Sequence, residues 1–403
     1  MFFKIALRNV FRNKRRTAFS LGVIVLGVTI LCIVIGFVSD SLNGIKRSLV
    51  VEIGSVQIAD PRYWDNTAKG YEYLITPDTV DRVIALLESD PRVTGYTKEL
   101  SFAGLIGNEK NSTLLVSSGL IPHNPIYDYG SLIVTGQPLG DDGSPQIIIG
   151  RKLAETLNVR PGDPINIATG TVSGSFNAAT ARIVGILQYN NLDAEGQIGF
   201  VPIAFAQKLL RTSGVDKILI KTSNPDDSES VTRELQAKLD EQGIALRARP
   251  WQELSSLYSS IKSFYNVFAG FTNAGVFILV FFSVLEVLTM SFLERTREVG
   301  TIRAVGTRRF QVFAMFLMEG VILGAVGGFL GILAGTGLGA LINYGGITWV
   351  PPGAIEPIPL QIQLGLSVAL FPFFTALIST FLSTLYPAWK NARLSIVKAL
   401  SYV

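Results

Sequence analysis

Residues able to do chemistry are few in this chain. Of its 403 residues one is a histidine, His123, and one a cysteine, Cys32. A zinc site draws three or four ligands from His, Cys and carboxylates, so the usual kinds cannot be built around this pair. An H-E-x-x-H helix is excluded outright, and neither a G-x-x-x-x-G-K-[ST] phosphate loop nor a G-x-S-x-G elbow occurs. The carboxylate pairs Asp141-Asp142 and Asp226-Asp227 lie in polar turns, where solvation accounts for them. Cys32 sits in an apolar run and reads as a small packing residue. His123, in a Pro/Asn/Gly-rich loop, reads as a surface residue. No catalytic residue, metal site or bound cofactor is expected of this chain.

What remains is two acids, one charged loop and a glycine pattern. Glu286 and Glu319 each lie in an apolar helix, about eight residues from an arginine-rich segment and hence at a similar depth of ~12 Å. Intramembrane carboxylates are rare enough to be candidates for gating or coupling. The plainer expectation, and the favoured one, is that they reach the interface or pair with the loop arginines. The loop itself carries Glu294, Arg295, Arg297, Glu298, Gly300, Arg303, Ala304 and Gly306 in a short run dense in both charge signs. Such a segment between two membrane helices suits docking into a cleft on another protein. Gly320, Gly324 and Gly328, with Gly327, Gly331, Gly335 and Gly339, recur every fourth residue, which lets helices approach backbone to backbone. The spacing does not say whether the neighbour belongs to the same chain.

These groups must be positioned by membrane helices. Phe19–Val38, Ser263–Leu285, Gly320–Ile355 and Pro357–Trp389 contain no charged residue. A hydrocarbon core of roughly 30 Å needs about 20 apolar residues in helix, and each stretch supplies them. The formal net charge of +4 is unevenly spread: residues 40–263 carry −5 and the remainder +9. The basic character therefore belongs to membrane flanks, which excludes a nucleic-acid groove. Lys4, Arg8 and Arg12, followed by Arg15 and Arg16, mark a basic interfacial helix ahead of the first span. The first span reads as an uncleaved anchor rather than a signal peptide. Arginines between spans two and three, a basic tail, and no Lys or Arg in 344–359 orient both termini to the cytoplasm by the positive-inside rule.

Between spans one and two, about 220 residues read as an α+β domain. Period-two alternation predicts strands at Ser55–Ala59, Ser112–Val116, Pro164–Ala168, Arg182–Leu187 and Lys217–Lys221. Thr76-Pro77-Asp78 predicts a helix start, and Asp226–Glu241 a helix closed by Gly243. The aromatic-rich segments around Tyr63, Trp64, Tyr127 and Tyr129 could bind a partner, with local packing the favoured use. The expected organisation is a 1–17 interfacial helix, spans at 18–39, 263–293, 312–343 and 360–388, and an outside domain at 40–262. Within that domain a subdomain is inserted near 146–212. A coupling loop occupies 294–311, an outside loop 344–359 and a cytoplasmic tail 389–403.

The run E-R-T-R-E-V-G-T-I-R-A-V-G at Glu294–Gly306, with Met318-Glu319-Gly320 and the glycine-rich span, closely resembles the FtsX-like permease domain of MacB/LolC/LolE-type ABC transporters. Ala6-Leu7-Arg8-Asn9-Val10 and Asn13–Thr17 look like the opening of that family, and Ile147–Leu210 is similar to its periplasmic core domain. The resemblance implies a type VII permease fold in a bacterial inner membrane. Two copies of a cytoplasmic ATPase would hold ATP and Mg, and a second permease copy or paralogue would complete a dimer. The charged loop would be the coupling helix, transmitting ATP-driven motion outward by mechanotransmission. The chain departs from efflux-type MacB in lacking a fused ATPase. Gly54-Ser55-Val56-Gln57-Ile58 and Pro351-Pro352-Gly353 look more like the lipoprotein-release branch. The implied cargo is a lipoprotein, lipid or other hydrophobic molecule, with a periplasmic chaperone or adaptor as a further candidate partner. An FtsX-like regulator of an outside enzyme and a MacB-like tripartite efflux permease are the alternatives, ahead of a membrane-anchored enzyme.

Overall fold

The computed structural model describes residues 14–65, 70–122, 124–141, 143–188, 192–350 and 357–400. Lys4, Arg8 and Arg12 of the expected interfacial helix, His123, Asp142 and the Pro351-Pro352-Gly353 loop lie outside them. The chain divides into a helical unit, Met1–Asn43 with Ser260–Trp349 and Pro359–Val403, and a globular unit, Gly44–Ser259 with Val350–Ile358.

Among the described residues, four helices are long and apolar enough to cross a membrane. They are α1 (Lys14–Ile53), α6 (Ser256–Glu294), α8 (Arg309–Tyr344) and α9 (Leu366–Arg393). At ~1.5 Å per residue the 40 residues of α1 reach roughly 60 Å, about twice a bilayer core. Arg15 and Arg16 are already part of α1. The unit boundaries at Asn43/Gly44 and Ser259/Ser260 fall inside α1 and α6.

The glycine pattern finds its neighbours within the chain. A Cβ on Gly320 would lie 2.0 Å from Thr384 Oγ1, and one on Gly324 would lie 2.1 Å from Thr380 Oγ1, both on α9. Gly328 faces Phe373 of the same helix. Gly327, Gly331 and Gly335 instead meet Ile24, Val28 and Cys32 of α1 at 2.6–2.7 Å, and Gly339 meets Leu364 and Ile362. α8 is thus wedged between α1 and α9, with Cys32 as packing material.

α9 contains Pro372 and Pro387, whose missing N–H groups leave helix carbonyls without their usual donors. A buried ridge of small hydroxyls, Thr375, Ser379, Thr380, Ser383 and Thr384, runs between them. Ser379 Oγ donates to the Phe277 carbonyl at 3.0 Å and Thr375 Oγ1 to Asn273 Oδ1 at 3.1 Å, both on α6. Small polar residues of this kind join membrane helices without orphaning a buried group.

In the globular unit ten strands form one continuous ladder. They are β1 (Val56–Ala59), β2 (Val93–Gly107), β3 (Ser112–Leu120), β4 (Ile133–Gly136), β5 (Gln146–Gly150), β6 (Pro164–Gly170), β7 (Phe176–Leu187), β8 (Ile198–Pro202), β9 (Lys217–Thr222) and β10 (Arg247–Pro250). β2 carries the topology. Its first half pairs β9 antiparallel, continuing to β1 and β10. Its second half pairs both β3 and β6, and the path β2-β3-β8-β5-β7-β6 returns to β2 as a closed six-stranded ring. Closure removes exposed strand edges. The 146–212 segment therefore does not stand alone, since two strands of the ring come from outside it. Leu100, Ile106, Leu115, Ile147, Ile165 and Ile183 pack in the core of this ring.

A second core covers the four-strand end. There α2 (Pro77–Glu88) and α5 (Ser228–Glu241) set Val80, Val83, Leu87, Val231 and Leu235 against Val56, Ile58, Ile218 and Ile220. Thr76 stands at the N-cap of α2 as its sequence suggests, but its hydroxyl meets Thr79 Oγ1 at 3.0 Å rather than a backbone N–H. α3 (Arg151–Leu157) and α4 (Ile203–Leu210) complete the ring's packing.

Candidate coupling site

The charged segment between the second and third spans folds as α7 (Thr296–Ala304), ended by Gly306 at φ +109°. A non-glycine residue there would be strained, so the sharp exit from α7 depends on this position. α8 then starts at Arg309, its N-terminus closed by Gln311 Oε1 accepting from the Arg308 N–H at 2.9 Å.

Ion pairs tie both ends of this element into the helical unit. Arg16 of α1 binds Glu294 at the end of α6 in a two-pronged pair, both contacts 2.6 Å. Arg295, the N-cap of α7, sends Nη1 to both oxygens of Glu319 at 3.0 and 3.1 Å and Nε to Glu298 at 3.4 Å. Its guanidinium lies over the Phe316 ring at 5.7 Å, and Phe316 in turn packs on Phe292 at 4.0 Å. The side chains of Arg295 and Glu319 are 11% and 4% exposed. One guanidinium nitrogen shared between both carboxylate oxygens, with so little water, is a positioning device, because breaking a buried ion pair is strongly destabilising. Glu319 is therefore paired with a loop arginine, while Glu286 lies exposed on α6. The structure does not bring the two acids together.

Within α7, Thr296, Val299, Gly300 and Arg303 are buried. Arg303 Nη1 donates to the backbone carbonyl of Leu394, just beyond α9, and α10 (Ile396–Leu400) packs against α7. The face open to a partner consists of Arg297, Glu298, Thr301, Ile302, Ala304, Val305 and Gly306. Val305 is 85% exposed, unusual for an apolar residue beside arginines. Of the eight loop residues singled out by sequence, Arg297, Glu298, Ala304 and Gly306 are surface. Glu294 and Arg295 are latch residues, and Gly300 and Arg303 are packing residues. Sequence reasoning missed Asn391, whose Nδ2 donates to the Phe292 carbonyl at 3.0 Å, and the Thr/Ser ridge of α9. The ridge's recurrence at 375, 379 and 383, with 380 and 384, was a readable signal.

The globular unit holds a second cluster of charge, equally unforeseen. Glu99, Asp216 and Lys217 meet between β2 and β9. Lys217 Nζ lies 3.3 Å from Glu99 Oε1 and donates to Tyr63 Oη at 3.2 Å, while Ser118 Oγ donates to Glu99 at 2.6 Å. Asp216 is fully buried, and its Oδ2 accepts from the Ser101 N–H at 2.9 Å. Burial pushes the Asp216 carboxyl up to about 7, with Lys217 pulling it down and Glu99 raising it further. A folded pKa above the unfolded value of ~3.9 means the native chain holds a proton that the unfolded chain releases between about pH 4 and 7. This contribution is largest below pH 4 and fades as pH rises to 7, at up to about 1.4 kcal/mol per pH unit. Asp216→Asn is expected to flatten the stability profile between pH 5 and 7, read by thermal unfolding of the two proteins. Asp90, held down to about 2 by its bond to Arg92, stays ionised through that window and does not compete. Tyr127 and Tyr129 pack on Phe200 at 5.6 and 6.1 Å, so these loop aromatics serve local packing.

Among the described residues no group of three or more His, Cys, Asp or Glu side chains is placed to hold a metal ion. Four spans, a charged helix latched between the second and third, and a ring-and-sheet unit between the first and second define a polytopic membrane protein with one large globular insertion. Residues 17–238 match the family model described as MacB-like periplasmic core domain, and residues 270–396 match the FtsX-like permease C-terminal model. Among curated proteins, the chain is 23% identical to the "Lipoprotein-releasing system transmembrane protein LolC" of Xylella fastidiosa (strain 9a5c), over 97% of this chain and 96% of that one. It is 24% identical to the "Uncharacterized ABC transporter permease YknZ" of Bacillus subtilis (strain 168), over 99% and 98%. It is also 24% identical to the "Macrolide export ATP-binding/permease protein MacB" of Chlorobium luteolum (strain DSM 273 / BCRC 81028 / 2530), covering all of this chain and 60% of that protein. The chain belongs to the MacB-like periplasmic core domain family, with an FtsX-like permease C-terminal region, and is an ABC transporter permease of the LolC/MacB type.

Proposed function

We propose that this permease couples ATP hydrolysis on a separate cytoplasmic subunit to movement of its globular unit, and so extracts a lipoprotein, lipid or other hydrophobic cargo. In this reading both termini and α7 lie in the cytoplasm, the globular unit outside, and ATP and Mg on the partner ATPase. Two ATPase copies and a second permease complete the assembly, with an outside chaperone or adaptor receiving cargo. The observation that carries the proposal is α7 itself: a nine-residue helix offering Arg297, Glu298, Ile302 and Val305 outward, with its inner face fixed by Arg295 and Arg303. A surface held this rigidly passes force rather than absorbing it. The end-to-end correspondence with LolC supports the cargo class.

Arg297→Glu reverses an exposed charge without touching the latch. It is expected to weaken binding of the ATPase by roughly tenfold or more and to lower its stimulated hydrolysis, as like-charge contacts at an interface do. Co-purification with a candidate cytoplasmic ABC ATPase of the same cell, together with hydrolysis rates in nanodiscs, measures both. Wild-type binding by Arg297→Glu and by Val305→Asp would remove α7 from the interface. Photo-crosslinkers along α1 and α6 that trap a cell-wall hydrolase instead of lipid-anchored cargo would favour a regulator.

A further inference from the structure

α9 buries one face against the rest of the helical unit and leaves another open. Phe371, Phe374, Ile378 and Leu382 are exposed, at the three- and four-residue steps that keep side chains on one side of a helix. The stripe runs on through Tyr386 and Trp389, also exposed, to Lys390 and Arg393 in the last turn. Its character thus changes in order from apolar to aromatic to cationic. Ile378 lies near the middle of the uncharged part of α9, 366–389, and Lys390 follows it by about 18 Å at ~1.5 Å per residue. That is just over half of a ~30 Å hydrocarbon core, so the rings fall at the interface and the cations at headgroup level.

The two cations are held in place by the rings. Arg393 lies over Trp389, 4.3 Å from the ring centroid, and Lys390 Nζ lies 5.9 Å from that of Tyr386. Both are i, i+4 pairs, so the helix itself sets the stacking. A guanidinium held over an indole face keeps N–H donors free, and these suit phosphate oxygens. Neither cation is paired with a carboxylate among the described residues, and 357–403 contains no Asp or Glu. Scattered basic residues at a membrane flank only orient a span. Two that stack on the span's own aromatic rings, on the face open to lipid, make a place for one headgroup.

We propose that this end of α9 binds one anionic glycerophospholipid. Its phosphate sits at Lys390 and Arg393, its ester region against Trp389 and Tyr386, and its acyl chains along Leu382 and Ile378. With two cations and no acid on the face, nothing receives the ammonium of a zwitterionic headgroup, so the anionic class is preferred. Leu394, the residue after Arg393, carries the carbonyl that holds Arg303 of α7, so the site borders the coupling element. It requires only that α9 cross a bilayer and is independent of the cargo reading.

Phosphatidylglycerol is the probe and phosphatidylcholine its neutral counterpart, with native mass spectrometry of the full chain in detergent as the readout. Saturable retention of phosphatidylglycerol is expected, roughly tenfold or more tighter than that of phosphatidylcholine. Lys390→Gln and Arg393→Gln should each weaken it about fivefold, and together about thirtyfold, as loss of basic residues near an anionic headgroup does. Trp389→Leu keeps both charges but removes the stacking surface, and should weaken retention about threefold. Arg309→Gln, at an exposed arginine outside α9, should leave it unchanged. All four positions are exposed, so the melting curves without lipid should match wild type. Equal retention of the two lipids by the folded chain overturns the proposal, and so does unchanged retention in the Lys390→Gln/Arg393→Gln double variant or in Trp389→Leu. An Arg309→Gln effect as large as that of Arg393→Gln would reduce the site to diffuse basic charge and overturns it as well. Displacement of the lipid by inorganic phosphate would make it an anion site with no need of a lipid, which also overturns it.

Discussion

Glu319→Ala is expected to destabilise the helical unit by about 3–5 kcal/mol, the range seen when one partner of a buried ion pair is removed. The physical cause is the guanidinium left behind. Arg295 is 11% exposed, and its alternative acceptor, Glu298, lies 3.4 Å away on the more open side. Arg295→Met should also destabilise the unit, because it takes the guanidinium away from a carboxylate that is only 4% exposed. Replacing both residues, Arg295→Met with Glu319→Leu, removes both desolvation penalties and should recover most of the loss. Thermal unfolding of the four proteins in one detergent measures this, and a single-variant loss under about 0.5 kcal/mol would show that the pair holds nothing. The double variant has a further use. If Arg295 and Glu319 only brace α7, it should stimulate the ATPase as wild type does. A stable but uncoupled double variant would mean that the pair breaks and reforms during the cycle.

That pair also shows where the sequence stopped being legible. Four charge-free stretches announced the spans, because a helix of about 20 uncharged residues has few other uses. The pairing of Glu319 with a loop arginine was among the sequence expectations, since few partners exist at that depth. The inward turn of Arg303 was not. Thr296, Val299, Gly300 and Arg303 share one face at three- and four-residue spacing, so the small residues marked that face. Nothing local, however, could identify the Leu394 carbonyl, 91 residues away, as the acceptor. The ring in the globular unit was hidden for a related reason. Its strands were recognisable by alternation, but β2 pairs β9 with one half and β3 and β6 with the other. Register is a long-range property that no window of sequence contains. Glu99, Asp216 and Lys217 likewise become a cluster only once β2 and β9 are in register.

Gly331→Ile should be more damaging still, and Gly337→Ala should be harmless, although both lie on one helix in one glycine-rich run. A Cβ on Gly331 would meet Val28 Cβ at 2.6 Å, Val28 Cγ1 at 2.8 Å and the Val25 carbonyl oxygen at 3.1 Å. Part of that obstruction is backbone, so no rotamer change relieves it and α1 must move away from α8. Overpacking of this kind costs about 1–3 kcal/mol for modest insertions and more when backbone must shift. A Cβ on Gly337 meets nothing within 4 Å, and alanine there gains up to about 1 kcal/mol of helix propensity. Gly324→Ala falls between the two. Its nearest obstacle is Thr380 Oγ1 at 2.1 Å, with Thr380 Cβ at 3.2 Å, so Thr380→Ala should rescue it in part. No small α1 residue should rescue Gly331→Ile, because the Val25 carbonyl stays in place. Yield and melting temperature of the purified variants test the ranking. Equal tolerance at 331 and 337 would mean that α1 does not lie against α8 as described. The ranking matters for function because α1 and α8 enclose no slack. Gly327, Gly331 and Gly335 hold the two helices at van der Waals contact over more than two turns, so in the proposed mechanism a displacement of α8 reaches α1 undiminished.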